Sequence, residues 1–212
     1  MRIAAKIGYP TVSQGSPRAP SATWTSNLPS FAISPGESAQ SALTRLLEPT
    51  SDHIRPDASE FRCLGNLVGD ASSGTYGASG QHPIARLTAR STPPPANWLR
   101  LQGTAAYAEG DNLASVYAHG ARLRQLRNLD AGAGQVGSWS AAALRRDTMA
   151  QEKGTLVAPF DCARQLLDVV TVTDSALGLA GQTFRVTALQ LDYARGPSPK
   201  ARYDITLTLG GL

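Results

Sequence analysis

The chain has 212 residues, enough for one large domain or two small ones, and 42% of them are hydrophobic, which supports a thin core. Charged residues make up only 17%, whereas 20 glycines and 14 prolines favour many turns and therefore β structure with long loops. The net charge of +4 comes without a Lys/Arg-rich run of the kind that follows a nucleic-acid backbone. We therefore expect no specific nucleic-acid binding, and a weakly charged surface that is buried against partners.

The first residues, the lengths of the apolar runs and the cysteines bear on the cellular location of the protein. The first ten residues, MRIAAKIGYP, lack the continuous apolar core of a signal peptide, and no apolar run approaches the ~18 residues of a membrane helix. We expect a soluble protein that nothing marks for export. Cys63 and Cys162 lie far apart without metal-ligand spacing, which favours two buried free thiols and leaves a disulfide between them open.

The first 33 residues are rich in proline, serine and threonine, and their four prolines forbid a regular helix. We predict an extended N-terminal arm over residues 1–33, with Trp24 and Phe31 as apolar anchors. Two interpretations stay open at this point. The segment is either a disordered tail or an arm that wraps a neighbouring subunit and buries both aromatic side chains.

The clearest helical pattern in the first half covers residues 34–48. Ser34 is a good N-cap, a proline follows at the first helical position, and Glu37 completes an S-x-x-E capping box. Strand candidates come next at 61–68, between turn-rich stretches. Together these elements predict a small helix-plus-hairpin α+β unit over residues 34–96.

Three consecutive prolines at 93–95 form a stiff spacer and mark the candidate boundary to a second unit. We predict that this second unit, residues 97–212, is a β-rich domain. It contains the second main helix over 138–153, which Ser138 would cap at the N-terminus and which Gly154 would follow at the C-terminus.

Alternating apolar and polar residues predict strands in the rest of the second half. From residue 154 onward the pattern is almost entirely strand, and Tyr203, Ile205, Leu207 and Leu209 fall on one face of the last strand. Three strands in sequence with short turns indicate an antiparallel meander or small barrel. The predicted class is α+β, β-rich with two main helices, and the strands lie around Trp98, within 119–129, and within 166–174, 183–194 and 202–212.

Nothing in the sequence has the spacing of a catalytic or metal site. The histidines His53, His82 and His119 stand in three separate turn-like contexts. The glycines of 132–137 do fit G-x-G-x-x-G, but the stretch before them is charged and no parallel βαβ pattern follows. We therefore predict no enzyme, no cofactor and no metal, with a small hydrolase as the interpretation to adopt only if carboxylates converge in a cleft.

Several segments of the second half follow one another in an informative order. The strand NWLRLQG precedes a helix that runs into a strand, SAAALRRDTMAQEKGTLVAPF, and LLDVVTVTD, FRVTALQLDYA and YDITLTLGG complete the chain. This order resembles the C-terminal part of phage tail and baseplate hub proteins. The stretch GESAQSALTRLL with IRPDASEFRCLG is similar to the helix-plus-hairpin unit of the same hubs.

The resemblance implies a structural virion component without a cofactor, assembled in the host cytoplasm. In such families the hub is an oligomeric ring, often three-fold, that joins the tail tube to the tip, so the implied partners are other copies of the chain and other tail proteins. The alternative is a carbohydrate- or receptor-binding β module of a tail tip, because three tryptophans and several tyrosines would stack on sugar rings. The predicted interface residues are Trp24, Phe31, Val170, Val172, Phe184, Leu191, Tyr193, Ile205 and Leu207.

Overall fold

The structure is a computed structural model that describes residues 32–48, 50–57, 60–66, 69–78, 82–90, 92–127, 131–194 and 202–212. Within these ranges the contacts define two compact units, each made of two separate stretches of chain. One unit lies within 1–67 and 96–146, and the other within 68–95 and 147–212. Compactness does not test independent folding, so the predicted division into an arm, a 34–96 unit and a 97–212 domain stays a prediction.

The second of these units is built on a six-stranded sheet that curls into a half-barrel. Its strands are β3 (Gly74–Gly77), β4 (Arg86–Ala89), β8 (Glu152–Pro159), β9 (Val169–Asp174), β10 (Leu179–Ala194) and β11 (Arg202–Gly210). Their order in the sheet is β3-β9-β10-β11-β8-β4, and all neighbours are antiparallel except β3 and β9, which are parallel. The predicted meander corresponds to β9, β10 and β11, which are consecutive in sequence and adjacent in the sheet.

The core of this sheet follows from strict alternation. Ile205, Leu207 and Leu209 of β11 lie on one face and are at most 1% exposed, as their spacing predicts for a strand with one buried face. They pack in one cluster with Val170 and Val172 of β9. Tyr203, which was expected on the same buried face, is instead 58% exposed. The core therefore ends before the strand does.

The other unit carries a three-stranded sheet, a two-stranded hairpin and helices. Its elements are α1 (Ala39–Leu47), β1 (His53–Asp57), β2 (Glu60–Leu64), β5 (Trp98–Gln102), β6 (Tyr107–Asp111), α2 (Leu113–His119), β7 (Leu123–Arg127) and α3 (Val136–Met149), of which residues 136–146 belong to this unit. The sheet has the order β6-β5-β7, and one face of β5 packs Leu99 and Leu101 against Trp139 of α3. No helix among the described residues combines the length and the apolar character that crossing a bilayer requires.

The predicted class, α+β and β-rich with a meander or small barrel, is confirmed. The first helix, however, begins at Ala39 and not at residue 34. Gly36 has a φ of 83°, and the amide of Glu37 donates to the Ser34 carbonyl at 3.0 Å, so these residues form a tight turn. Within it the Glu37 carboxylate accepts from the Ser34 amide at 3.1 Å, which is one half of the predicted capping box, but no helix begins there. Ser38 caps the helix instead, because its hydroxyl accepts from the Ser41 amide at 3.1 Å.

The second main helix is α3, and the predicted bounds of 138–153 were also wrong. Ser138 lies inside the helix and donates to the Gln135 carbonyl at 2.9 Å. Gly154 lies inside β8, where an added Cβ would stand 2.2 Å from the Thr88 carbonyl oxygen of β4. This glycine permits a close approach of two strands and does not end the helix.

The sequence prediction also missed α2, which lies between two short strands. Asn112 caps it, its side chain accepting from the Ser115 amide at 3.1 Å. Asn97, which is 1% exposed, donates to the Gly120 carbonyl at 2.8 Å and accepts from the Arg122 amide at 2.7 Å. One buried side chain thus fixes the chain just beyond the helix, a long-range contact that local pattern does not reveal.

Candidate assembly surface

The longest strand of the half-barrel extends beyond its neighbour. β10 pairs with β9 only from Leu179 to Arg185, whereas it pairs with β11 from Arg185 to Ala194. Within the described part of the chain, residues 188–194 therefore have β11 on one side and no strand on the other. A strand in this position presents a row of backbone donors and acceptors to which another strand can add. We call residues 188–194 the open edge.

A bulge decides which side chains of β10 face the core. The register between β10 and β11 shifts between Val186 and Ala188, which leaves Thr187 as the extra residue. The shift moves the inward face from the even-numbered to the odd-numbered positions, because residues that oppose each other across a ladder share a face. Leu189, Leu191 and Tyr193 consequently follow Val186 on the inner face, opposite Leu207, Ile205 and Tyr203 respectively.

Near the segment that joins β10 to β11, the side chains on this inner face are exposed to solvent. Leu191 is 56% exposed although its partner Ile205 is fully buried, and Tyr193 and Tyr203 are 57% and 58% exposed. The two tyrosine rings have centroids 4.5 Å apart with an interplanar angle of 30°. Phe160, which is 48% exposed, lies beside them, because its amide donates to the Tyr203 carbonyl at 3.1 Å. We call Phe160, Leu191, Tyr193 and Tyr203 the aromatic patch.

The backbone amides and carbonyls of the inner-face residues of β10 point away from β11, toward the open edge. The Val186 amide donates to the Asp168 carbonyl at 2.8 Å, so the backbone of this residue faces away from β11. The Tyr203 carbonyl accepts from the Phe160 amide on the side of β11 that faces away from β10. Tyr193 and Tyr203 therefore exchange no backbone hydrogen bonds with each other. Because hydrogen-bonded and non-hydrogen-bonded pairs alternate, Leu189, Leu191 and Tyr193 direct their amides and carbonyls to the open edge.

The opposite face of the same hairpin is polar. Asp192 and Asp204 stand directly across from each other on β10 and β11. Gln190 and Thr206 donate to the Asp192 carboxylate at 2.7 and 3.3 Å, which disperses part of its charge. Arg86 of β4 lines the same shallow depression as the two carboxylates, so this face carries both signs of charge.

A polar cluster elsewhere in the half-barrel brings together residue types that catalytic sites use. Its centre is Asp161, which is 8% exposed and accepts from Tyr76 at 3.1 Å and from Arg164 Nε at 2.7 Å. His82 Nε2 lies 3.2 Å from the same carboxylate oxygen. Burial alone would raise the pKa of Asp161, but the Ala163 amide, Arg164 and His82 outweigh it and hold that pKa below its ordinary value.

The hydrogen bonds of the cluster indicate a structural role. Burial and the neighbouring Asp161 carboxylate raise the pKa of Tyr76 far above its ordinary value, so this hydroxyl stays a donor. The Ser73 hydroxyl donates to the Val169 carbonyl at 3.0 Å and accepts from Arg164 at 2.7 Å, so its proton is not directed to a base. The cluster ties the segment before β9 to β3.

The structure describes seven of the nine predicted interface residues and divides them into three groups. Four are fully buried in the chain's own core, namely Val170, Val172, Ile205 and Leu207. Phe184 is partly buried against that core, whereas Leu191 and Tyr193 lie on the aromatic patch. Trp24 and Phe31 lie outside the described residues. The interface assignment itself stays a prediction.

The sequence analysis did not identify Phe160 as part of the patch, and it predicted that Tyr203 is buried although it is exposed. The sequence did contain a signal for the exposed end of the hairpin, because the alternating apolar patterns of β10 and β11 are longer than that of β9.

Cys162 is a free thiol, but it is exposed and not buried as predicted. The side chain of Cys63 is not among those described.

The geometry defines a class of protein: a β-rich half-barrel with the fold of phage and prophage tail proteins. The chain is similar to a tail protein from Neisseria meningitidis MC58, with a TM-score of 0.65 at 14% identity, over 99% of this chain and 64% of that one. It is similar to the 43 kDa tail protein of prophage MuSo2 from Shewanella oneidensis, with a TM-score of 0.57 at 11% identity, over 98% of this chain and 61% of that one. A prophage tail protein from Listeria monocytogenes EGD-e matches with a TM-score of 0.52 at 10% identity, over 96% and 60% of the two chains.

These similarities show the fold and nothing finer. The chain spans only about three fifths of the length of the solved tail proteins that it matches. No family model matches the chain, and no curated protein matches its sequence.

Proposed function

We propose that this chain is a structural subunit of a phage-type tail, and that it self-associates into a hub ring that joins the tail tube to the tip. The observation that carries the proposal is the β10–β11 hairpin, which combines an open edge with the aromatic patch on the fold of tail proteins. The proposed location is the tail of the virion, assembled in the host cytoplasm, and the proposed partners are other copies and neighbouring tail proteins.

An exposed apolar surface and an unpaired strand edge coincide on the β10–β11 hairpin. The side chains of Leu191, Tyr193 and Tyr203 keep more than half of their surface in water, although they continue the face that forms the core. Along the same residues of β10 the backbone lacks a neighbouring strand in the described chain. A partner that added a strand would satisfy the backbone and cover the rings in one contact.

A non-catalytic role agrees with the polar chemistry of the chain. The most connected cluster, around Asp161, has its donors and acceptors directed to one another. Within the described residues no group of three or more His, Cys, Asp or Glu side chains is arranged to hold a metal ion. Support for the structural role comes from the open edge and the patch, and not from these observations alone.

Sedimentation velocity on the purified chain tests the proposal. We expect a concentration-dependent oligomer at micromolar protein, burying at least the roughly 800 Å² per partner of a standard interface, and a ring in electron micrographs. The variant that replaces Tyr193 and Tyr203 by serine should sediment as a monomer. The matched control replaces Tyr107 and Tyr117, which are 70% and 86% exposed on the other unit, and should sediment as wild type.

A wild-type chain that stays monomeric, alone and mixed with the tail proteins encoded beside it, would contradict the proposed function. Equal effects of the two tyrosine pairs would also contradict it, because they would show that the hairpin has no special part in association.

A glycan-binding role is the second candidate, and the exposed tyrosine pair favours it, since adjacent rings stack on sugars. Trp139, by contrast, is only 4% exposed and is not available for stacking. Glycan-array binding that is lost on replacing Tyr193 by alanine, in a chain that remains monomeric, would support this candidate over the ring.

A further inference from the structure

The open edge sets requirements for whatever covers it. Residues 188–194 are seven positions long, which corresponds to about 23 Å of extended chain. The occupant must be a strand of similar length without proline at a bonded position, and it must carry an apolar side chain for the aromatic patch.

One stretch of the N-terminal arm meets the length requirement. Residues 21–28, SATWTSNL, form an eight-residue segment that is free of proline and is bounded by Pro20 and Pro29. The two prolines confine any strand to the residues between them, because proline cannot donate to a ladder. The segment and the open edge therefore match in length to within one residue.

The side chains of the same stretch have the required alternation. Ala22, Trp24 and Leu28 share one face of an extended chain, while Thr23 and Thr25 lie on the other. Threonine and tryptophan are favoured in strands. A strand that pairs with the open edge would place the apolar face on the side of Leu191 and Tyr193, where Trp24 is large enough to cover the tyrosine pair.

We propose that residues 21–28 of one copy add as a strand to the open edge of β10 in a second copy, with Trp24 seated on the aromatic patch. This inference rests on the proposed function and names its contact: a head-to-tail exchange in which every copy gives one arm and receives one. A heterologous contact forms a ring when the rotation between neighbouring copies closes, and in a closed ring no copy keeps an uncovered edge.

Photo-crosslinking identifies the occupant directly. The full chain carries benzoylphenylalanine in place of Trp24 at natural isotope abundance, and it is unfolded and refolded together with an excess of ¹⁵N-labelled wild-type chain before illumination, so that most neighbours of a light copy are heavy. We expect crosslinked peptides that join the light arm to heavy residues 186–194 or 202–209. Crosslinks confined to light–light pairs would place the arm on its own chain, and crosslinks away from the hairpin would place it elsewhere; either result overturns the inference.

Two matched pairs of variants test the contact energetically. Trp24→Ala should raise the dissociation constant of the assembly at least about tenfold, as expected for a buried aromatic anchor, whereas Tyr9→Ala in the same arm should change it less than about threefold. Leu191→Pro removes an outward amide without breaking the β10–β11 ladder, and should weaken assembly about fivefold more than Leu191→Ala. Equal effects within either pair would contradict the inference.

The same experiments separate the inference from the proposed function. If the chain forms a ring and Trp24→Ala leaves its dissociation constant unchanged, the strand exchange is wrong and the ring stands. If the wild-type chain forms no assembly with itself or with other tail proteins, the proposed function is wrong, and with it the exchange.

Discussion

Leu191 and Ile205 lie directly opposite each other on β10 and β11, yet truncating them should affect different properties of the protein. Ile205 is fully buried, and replacing a buried isoleucine by alanine costs about 2–5 kcal/mol of unfolding free energy. Leu191 keeps 56% of its surface exposed, so less than half of the roughly 1.5–3 kcal/mol for full burial is at stake, or about 1 kcal/mol. We expect Ile205→Ala to destabilise the fold and Leu191→Ala to weaken assembly.

Urea unfolding and sedimentation measure the two effects separately. Unfolding is followed at the lowest protein concentration that gives a signal, because assembly would otherwise add to the apparent stability. Because the two side chains are direct cross-strand neighbours, their effects are coupled in a double variant, and the two single variants are the ones that separate the core from the assembly. An equal loss of unfolding free energy for the two single variants would refute the reasoning, since it would mean that Leu191 is buried in the isolated chain.

Three further predictions concern the fold itself. Asp161→Asn should lower the unfolding free energy by about 1–3 kcal/mol at pH 7. Because the pKa of Asp161 is lowered in the folded state, the stabilisation by its charge is complete above the ordinary aspartate range and is lost as the pH falls through the folded-state pKa. The difference between Asp161→Asn and wild type should therefore shrink in unfolding measurements taken at increasingly acidic pH. Gly154→Ala should cost more than a typical surface change, about 2 kcal/mol or more, because its Cβ would stand 2.2 Å from a carbonyl oxygen, and thermal unfolding measures this. Ser38→Ala should cost about 1 kcal/mol by removing the N-cap of α1, with Ser34→Ala as the control that leaves urea unfolding nearly unchanged.

The parts of the fold that local pattern specifies were predictable from the sequence. The alternation Ile205, Leu207, Leu209 identified β11 and its buried face, because a strand with one face on a core has a period of two residues. The Val-rich run before Asp174 identified β9 for the same reason. Neither prediction needed any knowledge of the partner strand.

The parts that depend on distant contacts were not predictable. The bulge at Thr187 shifts the inner face of β10 by one residue, and only the pairing with β11 reveals it. The exposure of Tyr203 likewise depends on where β9 ends, since the same alternating pattern describes a buried and an exposed position. At the start of α1, Gly36 formed a turn where the capping-box spacing suggested a helix, because both motifs use the same residue types.

The half-barrel also constrains the order in which the chain can fold. β3 pairs with β9 and β4 pairs with β8, so Gly74 meets Val170 and Arg86 meets Val157. At about 5–20 residues per second, a ribosome needs on the order of several seconds to make the intervening chain, and both early strands lack their partners for that time. The sheet therefore closes late in synthesis, and a chain that is cut short before β8 leaves β3 and β4 without their neighbours.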